Sequence, residues 1–357
     1  MFFSMVLFLL VPVCLFGMRP NDAQLLKWVG SYEIEEFPHE GGFVFDVSFN
    51  KKTNSLLMAT GKGLLKMNCL NNTIEPSKVA APLVALAGSD EGAYFVLQAS
   101  RHVYRWNQEE DKCECVLQGT ADKLVYNRVD KTLWCSQWYA QGESVMKINS
   151  ATGAQSFRAG DITAMCGGPD NSIHVGMTGA LQKWDAAGNV LENKDVSSRI
   201  LISSMKCDPV TGTLYACTLY ACTGANGFIR ECDTHLRNDR KIEYGDIYHA
   251  TVSFEYDFNS KFLCILSHNN GDDEDAHQIY IFPPYNKNIK HMLPFNCKHG
   301  KCACDPLTNT FYIAGKDKIG VLKPKSSYLA LINSSAFTVL KMLLHMNNQA
   351  ALEGELL

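Results

Sequence analysis

Apolar and polar positions alternate along most of this chain in short runs, each broken by a tight polar turn. That period-two pattern is the signature of strands with two distinct faces. The clearest run is Cys207-Asp208-Pro209-Val210-Thr211-Gly212-Thr213-Leu214-Tyr215-Ala216, and it returns as Cys304-Asp305-Pro306-Leu307-Thr308-Asn309-Thr310-Phe311-Tyr312-Ile313-Ala314. Both read as strand, turn, strand, with turn residues that supply hairpin φ values. Weaker copies begin at Phe49, Ala87, Tyr126, Cys166 and Tyr256. The first apolar residues after the turns are Leu56, Tyr94, Leu133, Ile173, Leu214, Phe262 and Phe311, spaced by 38, 39, 40, 41, 48 and 49 residues. A strand–turn–strand unit recurring at about forty residues predicts the blades of a propeller. The expected fold is all-β, a seven-bladed β-propeller of four-stranded antiparallel blades over residues 28–333.

Blade one sets the grammar. Phe45 to Asn50 is its inner strand, followed by Leu56 to Thr60, Leu64 to Asn68 and an outer strand from Thr73 to Lys78. Third strands share a motif of a basic residue, a large apolar residue and then Asn or Asp. It appears as Lys66-Met67-Asn68, Arg105-Trp106-Asn107, Lys147-Ile148-Asn149 and Lys183-Trp184-Asp185. The amide or carboxylate starts the next turn by accepting from its own backbone. A further strand, Trp28 to Glu36, precedes the first blade and is expected to pair with the last one, closing the ring and removing an open edge.

The Trp184-Asp185 dipeptide, the near match Trp106-Asn107, and a repeat opening at Pro38-His39-Glu40-Gly41-Gly42 resemble the WD-repeat propellers. The resemblance covers Trp28 to Asn333. It implies a non-catalytic scaffold or adaptor that presents a rigid annular face to other proteins. The expected contact surface combines Lys62, Arg101, Trp138 and Tyr139 with the acidic insertion Asp272-Asp273-Glu274-Asp275, since aromatic and Arg side chains are the usual interface anchors. The long insertions of blades five and six fall between second and third strands, on one common face.

Composition narrows the picture. Thirty-three basic against 37 acidic residues give a net charge of −4, which offers no footprint for nucleic acid. Residues 1–17 form an apolar leader, either a signal peptide without a basic start or an extension ahead of Met18; it is short and interrupted by Pro12, so no membrane span is expected. Beyond Cys14 the chain holds 13 of its 14 cysteines, an odd number, and Cys135, Cys166, Cys217 and Cys264 sit among large apolar strand residues. That usage favours reduced core thiols and a cytoplasmic location, the secretory route being the alternative if the leader is cleaved. The tail, residues 334–357, carries the pattern of a capped helix over Ala336 to Met346.

Candidate chemistry is sparse. Cys297-Lys298-His299-Gly300-Lys301-Cys302-Ala303-Cys304 has zinc-type ligands, but Cys304 aligns with the core position Cys207, which favours structural thiols. Asp272 to Asp275 lacks the alternate spacing of a calcium loop and reads as a solvated loop. No metal or other cofactor is expected. The alternative to the scaffold is a secreted propeller hydrolase or ligand-binding protein with a metal in its central channel. Asp46 and Asp161 are available to such a site, while the inner strands at Leu83–Ala87, Ile162–Cys166 and Leu201–Met205 offer small or apolar groups. No nucleophile elbow or phosphate loop occurs in the sequence.

Overall fold

The computed structural model describes residues 32–136, 144–149, 153–158, 162–196, 200–220, 228–243, 249–257, 263–269, 277–282, 291–295, 300–305 and 307–324. The chain divides into two units. Glu35–Val321 carries the blades, and Met1–Ile34 with Leu322–Leu357 contributes, among its described residues, the start of the first strand and the end of the last. The expected tail helix, the start of the Trp28–Glu36 strand, Trp138, Tyr139 and Asp272 to Asp275 all lie outside the described residues.

Strand β1 (Tyr32–Pro38) comes first. Blade one is β2 (Val44–Asn50), β3 (Ser55–Thr60), β4 (Gly63–Asn68) and β5 (Thr73–Pro76). Blade two is β6 (Leu83–Gly88), β7 (Gly92–Leu97), β8 (Val103–Asn107) and β9 (Lys112–Leu117). Blade three is β10 (Lys123–Asn127), β11 (Thr132–Ser136), β12 (Ser144–Asn149) and β13 (Gly153–Arg158). Blade four is β14 (Ile162–Gly167), β15 (Ile173–Met177), β16 (Ala180–Trp184) and β17 (Val190–Asp195). Blade five is β18 (Ile200–Cys207), β19 (Leu214–Tyr220), β20 (Phe228–Cys232) and β21 (Arg240–Glu243). Blade six is β22 (His249–Tyr256), β23 (Leu263–Asn269), β24 (His277–Phe282) and β25 (His291–Pro294). Blade seven is β26 (Lys301–Asp305), β27 (Thr310–Ala314) and β28 (Lys318–Pro324), with β1 as its outer strand.

The result is a seven-bladed propeller of four-stranded antiparallel sheets, as the forty-residue period requires. Inner strands of successive blades pack side by side, and β2 lies against β26, which completes the circle. The Glu36 carboxylate receives Lys318 Nζ at 2.8 Å across the closing pair.

The core lies between blades rather than within them. Leu57, Ala59 and Leu64 of blade one pack with Leu86, Phe95 and Trp106 of blade two. Trp134 and Val145 of blade three pack with Val175 and Trp184 of blade four. Tyr215 and Ile229 of blade five meet Phe254 and Ile265 of blade six. Each such side chain contributes roughly 1.5–3 kcal/mol on burial, so a blade is stable only with neighbours on both sides.

The connections fall on two ends. First-to-second and third-to-fourth strand links share one end, here the turn end; second-to-third links and blade-to-blade crossovers share the loop end. The turn end is closed by repeated side-chain caps. Asn50 Oδ1 accepts from Lys52 N, Asn127 Oδ1 from Val129 N, Asp208 Oδ1 from Val210 N and Asp305 Oδ1 from Leu307 N, all near 3 Å. The third-strand motif does the same work: Asn68, Asn107, Asp185 and Asp233 accept from Leu70, Glu109, Ala187 and His235 N–H groups. Gly212, at φ 72°, adopts the left-handed conformation this turn needs. In blade two the position equivalent to Leu56 is Ala93 rather than Tyr94, because Gly88 pairs with Ala93 as Phe49 pairs with Leu56.

Candidate functional site: the channel and its loop end

The register defines layers around the axis. Take the inner-strand residue facing each repeat anchor, with Ala93 as the anchor of blade two and Leu263 rather than Phe262 as that of blade six: Phe49, Gly88, Tyr126, Gly167, Cys207, Tyr256 and Cys304. One residue nearer the loop end stand Ser48, Ala87, Val125, Cys166, Lys206, Glu255 and Ala303. Three residues nearer stand Asp46, Ala85, Lys123, Ala164, Ser204, Ser253 and Lys301. Just beyond this upper layer a β-bulge recurs. The extra residue is Phe45 in blade one, Val84 in two, Thr163 in four, Ser203 in five and Val252 in six. Strands β10 and β26 begin at this upper layer, each on a lysine, and pair in continuous register over their described residues.

The inner edge of each blade is an open strand edge, and several of its N–H groups are met by side chains of the preceding blade. Asp46 Oδ2 accepts from Leu86 N at 3.0 Å while its Oδ1 takes Val47 N. Ser48 Oγ accepts from Gly88 N at 3.1 Å; a Cβ at position 88 would lie 2.4 Å from that oxygen, so glycine is needed for this approach. Ser253 Oγ accepts from Cys302 N at 3.1 Å.

The lower layer holds one ion pair. Lys206 Nζ donates to Glu255 Oε2 at 2.7 Å, with Glu255 nearly buried and Lys206 about one third exposed (35%). Burial opposes the Lys206 charge, but the attraction and hydrogen bond of Glu255 outweigh it and leave the ammonium pKa raised. The upper layer holds Lys123 and Lys301 with Asp46. Lys123 is exposed to the channel yet ringed by protein. That desolvation, and then repulsion from Lys301, lowers its pKa against the pull of Asp46 and Asp122. Charges on blades one, three and seven therefore feel one another across the axis.

The channel is where reading the sequence fell short. Asp46 lies on an inner strand as expected, and Asp161 is outside the described residues. The strands named as apolar are so, but Lys123, Lys206, Glu255 and Lys301 supply charges that were not anticipated. Asp46 and Glu255 occupy different layers, one taken by N–H donors and the other by Lys206, so these two do not converge as a carboxylate cage. Cys302 and Cys304 lie on β26, and burial holds the Cys304 thiol well above its ordinary pKa, as for a core residue. Cys297 and His299 are outside the described residues, among which no three His, Cys, Asp or Glu side chains gather as metal ligands.

On the loop end, Lys62 occupies the β3–β4 link and Arg101 the β7–β8 link. Arg101 pairs with Asp122 at 2.7 Å and remains two-fifths exposed (40%). Two residues absent from the expected surface stand out beside Lys62. Phe43 and Phe45 are exposed at 40% and 38%, and Lys316 Nζ lies 5.2 Å from the Phe43 ring centroid. Phe45 is the bulge residue of blade one, which is how an inner-strand aromatic comes to face solvent. His39 is structural: its Nδ1 accepts from Gly41 N, so Nε2 carries the proton and donates to Gly315 O at 2.9 Å.

No protein-family model matches the chain, and no curated protein matches it either. Solved structures do. The chain is similar to the Myceliophteria thermophila Cps50 (Swd1) beta-propeller domain, at 12% identity and a TM-score of 0.64, over 82% of this chain and 99% of that one. It is similar to a chain of the mitotic checkpoint complex, at 13% identity and a TM-score of 0.60, over 82% and 92%. It is also similar to a streptogramin B lyase, at 11% identity and a TM-score of 0.63, over 83% and 98%. At these identities the likeness shows the propeller fold alone, shared by an enzyme and by a member of a protein assembly. Among the described residues no helix is long and apolar enough to cross a membrane.

Proposed function

We propose that this propeller is a non-catalytic, WD-repeat-like scaffold that docks a protein partner on its loop end. The observation that carries the reading is the exposed pair Phe43 and Phe45, set beside Lys62 and Lys316 on a rigid rim. Aromatic side chains held by a fixed backbone lose little entropy on binding and serve as anchors, with cations around them as a polar rim. Arg101 extends this rim to blade two. One solved neighbour belongs to a multiprotein complex, which supports a binding role without naming a partner.

The test is affinity capture by the full chain followed by mass spectrometry. Phe43→Glu with Phe45→Glu is compared with Val210→Glu, a change at the opposite, turn end, where Val210 is 83% exposed. A specific partner retained by V210E and reduced about tenfold or more by the loop-end change supports the proposal. Equal capture by both variants, or turnover of a substrate by a preparation that captures nothing, overturns it.

A further inference from the structure

We infer that the loop-end mouth of the channel binds a small dianion, held between Lys123 and Lys301. The two lysines sit at equivalent rungs of β10 and β26, each three residues from the residue facing its repeat anchor. Both strands begin at these lysines, at the level just below the bulge of the other five blades. The rest of the layer is Asp46 and short alanine and serine side chains, so the two ammonium groups are its longest members.

Neither lysine has a carboxylate within ion-pair distance among the described residues. The acids nearest in charge terms are committed elsewhere: Asp46 to the N–H groups of Val47 and Leu86, and Asp122 to Arg101. One layer below, Lys206 shows the contrasting case, with Glu255 at 2.7 Å. Two like charges set in one layer of the ring repel, and an oxyanion between them turns that repulsion into two charge-assisted hydrogen bonds. Burial first, and repulsion from Lys301 second, lower the pKa of Lys123. Carboxylates and phosphates share this chemistry, and the small neighbouring side chains leave room for a compact ligand. The site does not depend on docking at Phe43 and Phe45.

Thermal unfolding of the full chain in malonate or pyrophosphate, against sodium chloride of equal ionic strength, tests it. The expected result is a saturable rise in Tm of a few degrees by ~10 mM ligand. Lys123→Gln or Lys301→Gln should each weaken the apparent affinity about tenfold, and the pair should abolish the rise. The stronger of the two probes identifies a carboxylate or a phosphate ligand. Should the Gln pair fail to fold, Lys123→Arg with Lys301→Arg keeps both charges and should retain the effect. An equal rise in the doubly neutral variant, no rise beyond chloride in the wild type, or loss of the effect in a folded Arg pair overturns the site. Capture at the aromatic rim should be unchanged in the Gln variants, so failure of docking and failure of anion binding are read apart.

Discussion

The turn end and the loop end of this ring are built from different materials. At the turn end, Asn and Asp side chains hold eight of the short links, and each cap satisfies backbone donors of its own turn. At the loop end, among the described residues, bulges interrupt five inner strands, Phe43 and Phe45 face solvent, and Lys123 and Lys301 have no carboxylate at ion-pair distance. Polar groups at one end are consumed by the fold, whereas those at the other are left over from it. Function is therefore sought among the leftovers, and stability among the consumed.

That contrast can be broken most strongly at His174, on the turn-end half of blade four. It is fully buried, neither ring nitrogen has a protein hydrogen-bond partner, and burial followed by Lys183 lowers its pKa to about 4. A lowered histidine pKa means that the folded state resists protonation. Its contribution is complete above the unfolded value near 6.5 and is lost as pH falls toward 4, about 3 kcal/mol in all. Urea unfolding at stepped pH should show this decline, and His174→Leu should remove it. A slope unchanged by the substitution counts against the buried, neutral imidazole.

Next in size is Asp208→Ala. Asp208 is 2% exposed and its Oδ1 serves both Val210 N and Thr211 N, so the loss should be about 2 kcal/mol in chemical denaturation, with partner capture intact. A loss of capture at unchanged stability would mean that the turn end is the functional one. The smallest effect expected is for Glu255→Gln, about 1 kcal/mol. A fully buried pair costs more to break, but Lys206 is one third exposed and partly screened. Because Glu255 keeps the Lys206 pKa raised, the stability it adds is full below the unfolded lysine value near 10.4. It fades as pH rises through the folded value, and E255Q should flatten that alkaline loss.

Much of this was legible in the chain itself. The period, the seven blades, the closing strand and the Asx caps all follow from local signals, because a capping side chain and the N–H groups that donate to it are neighbours in sequence. The channel was not legible. Which alternate residues of an inner strand share a layer depends on register across seven separate hairpins. A bulge such as that at Phe45 leaves no mark in the run Phe43-Val44-Phe45-Asp46-Val47. Lys123 and Lys301 look like ordinary strand-flanking lysines until β10 and β26 are placed on the same axis. Among the residues expected at the binding face, Lys62 and Arg101 do share the loop end, although Arg101 already holds Asp122.

The pairing of β1 with β28 has a consequence for biosynthesis. The strand that completes the last sheet leaves the ribosome first and must wait, unpartnered, while six blades assemble behind it. Until blade seven is made, neither blade one nor blade six has its second neighbour, so the circle closes only with the last strands of the chain. A nascent chain arrested before Lys318 should thus remain protease-sensitive at both of its ends at once, and release of the last strand should protect them together.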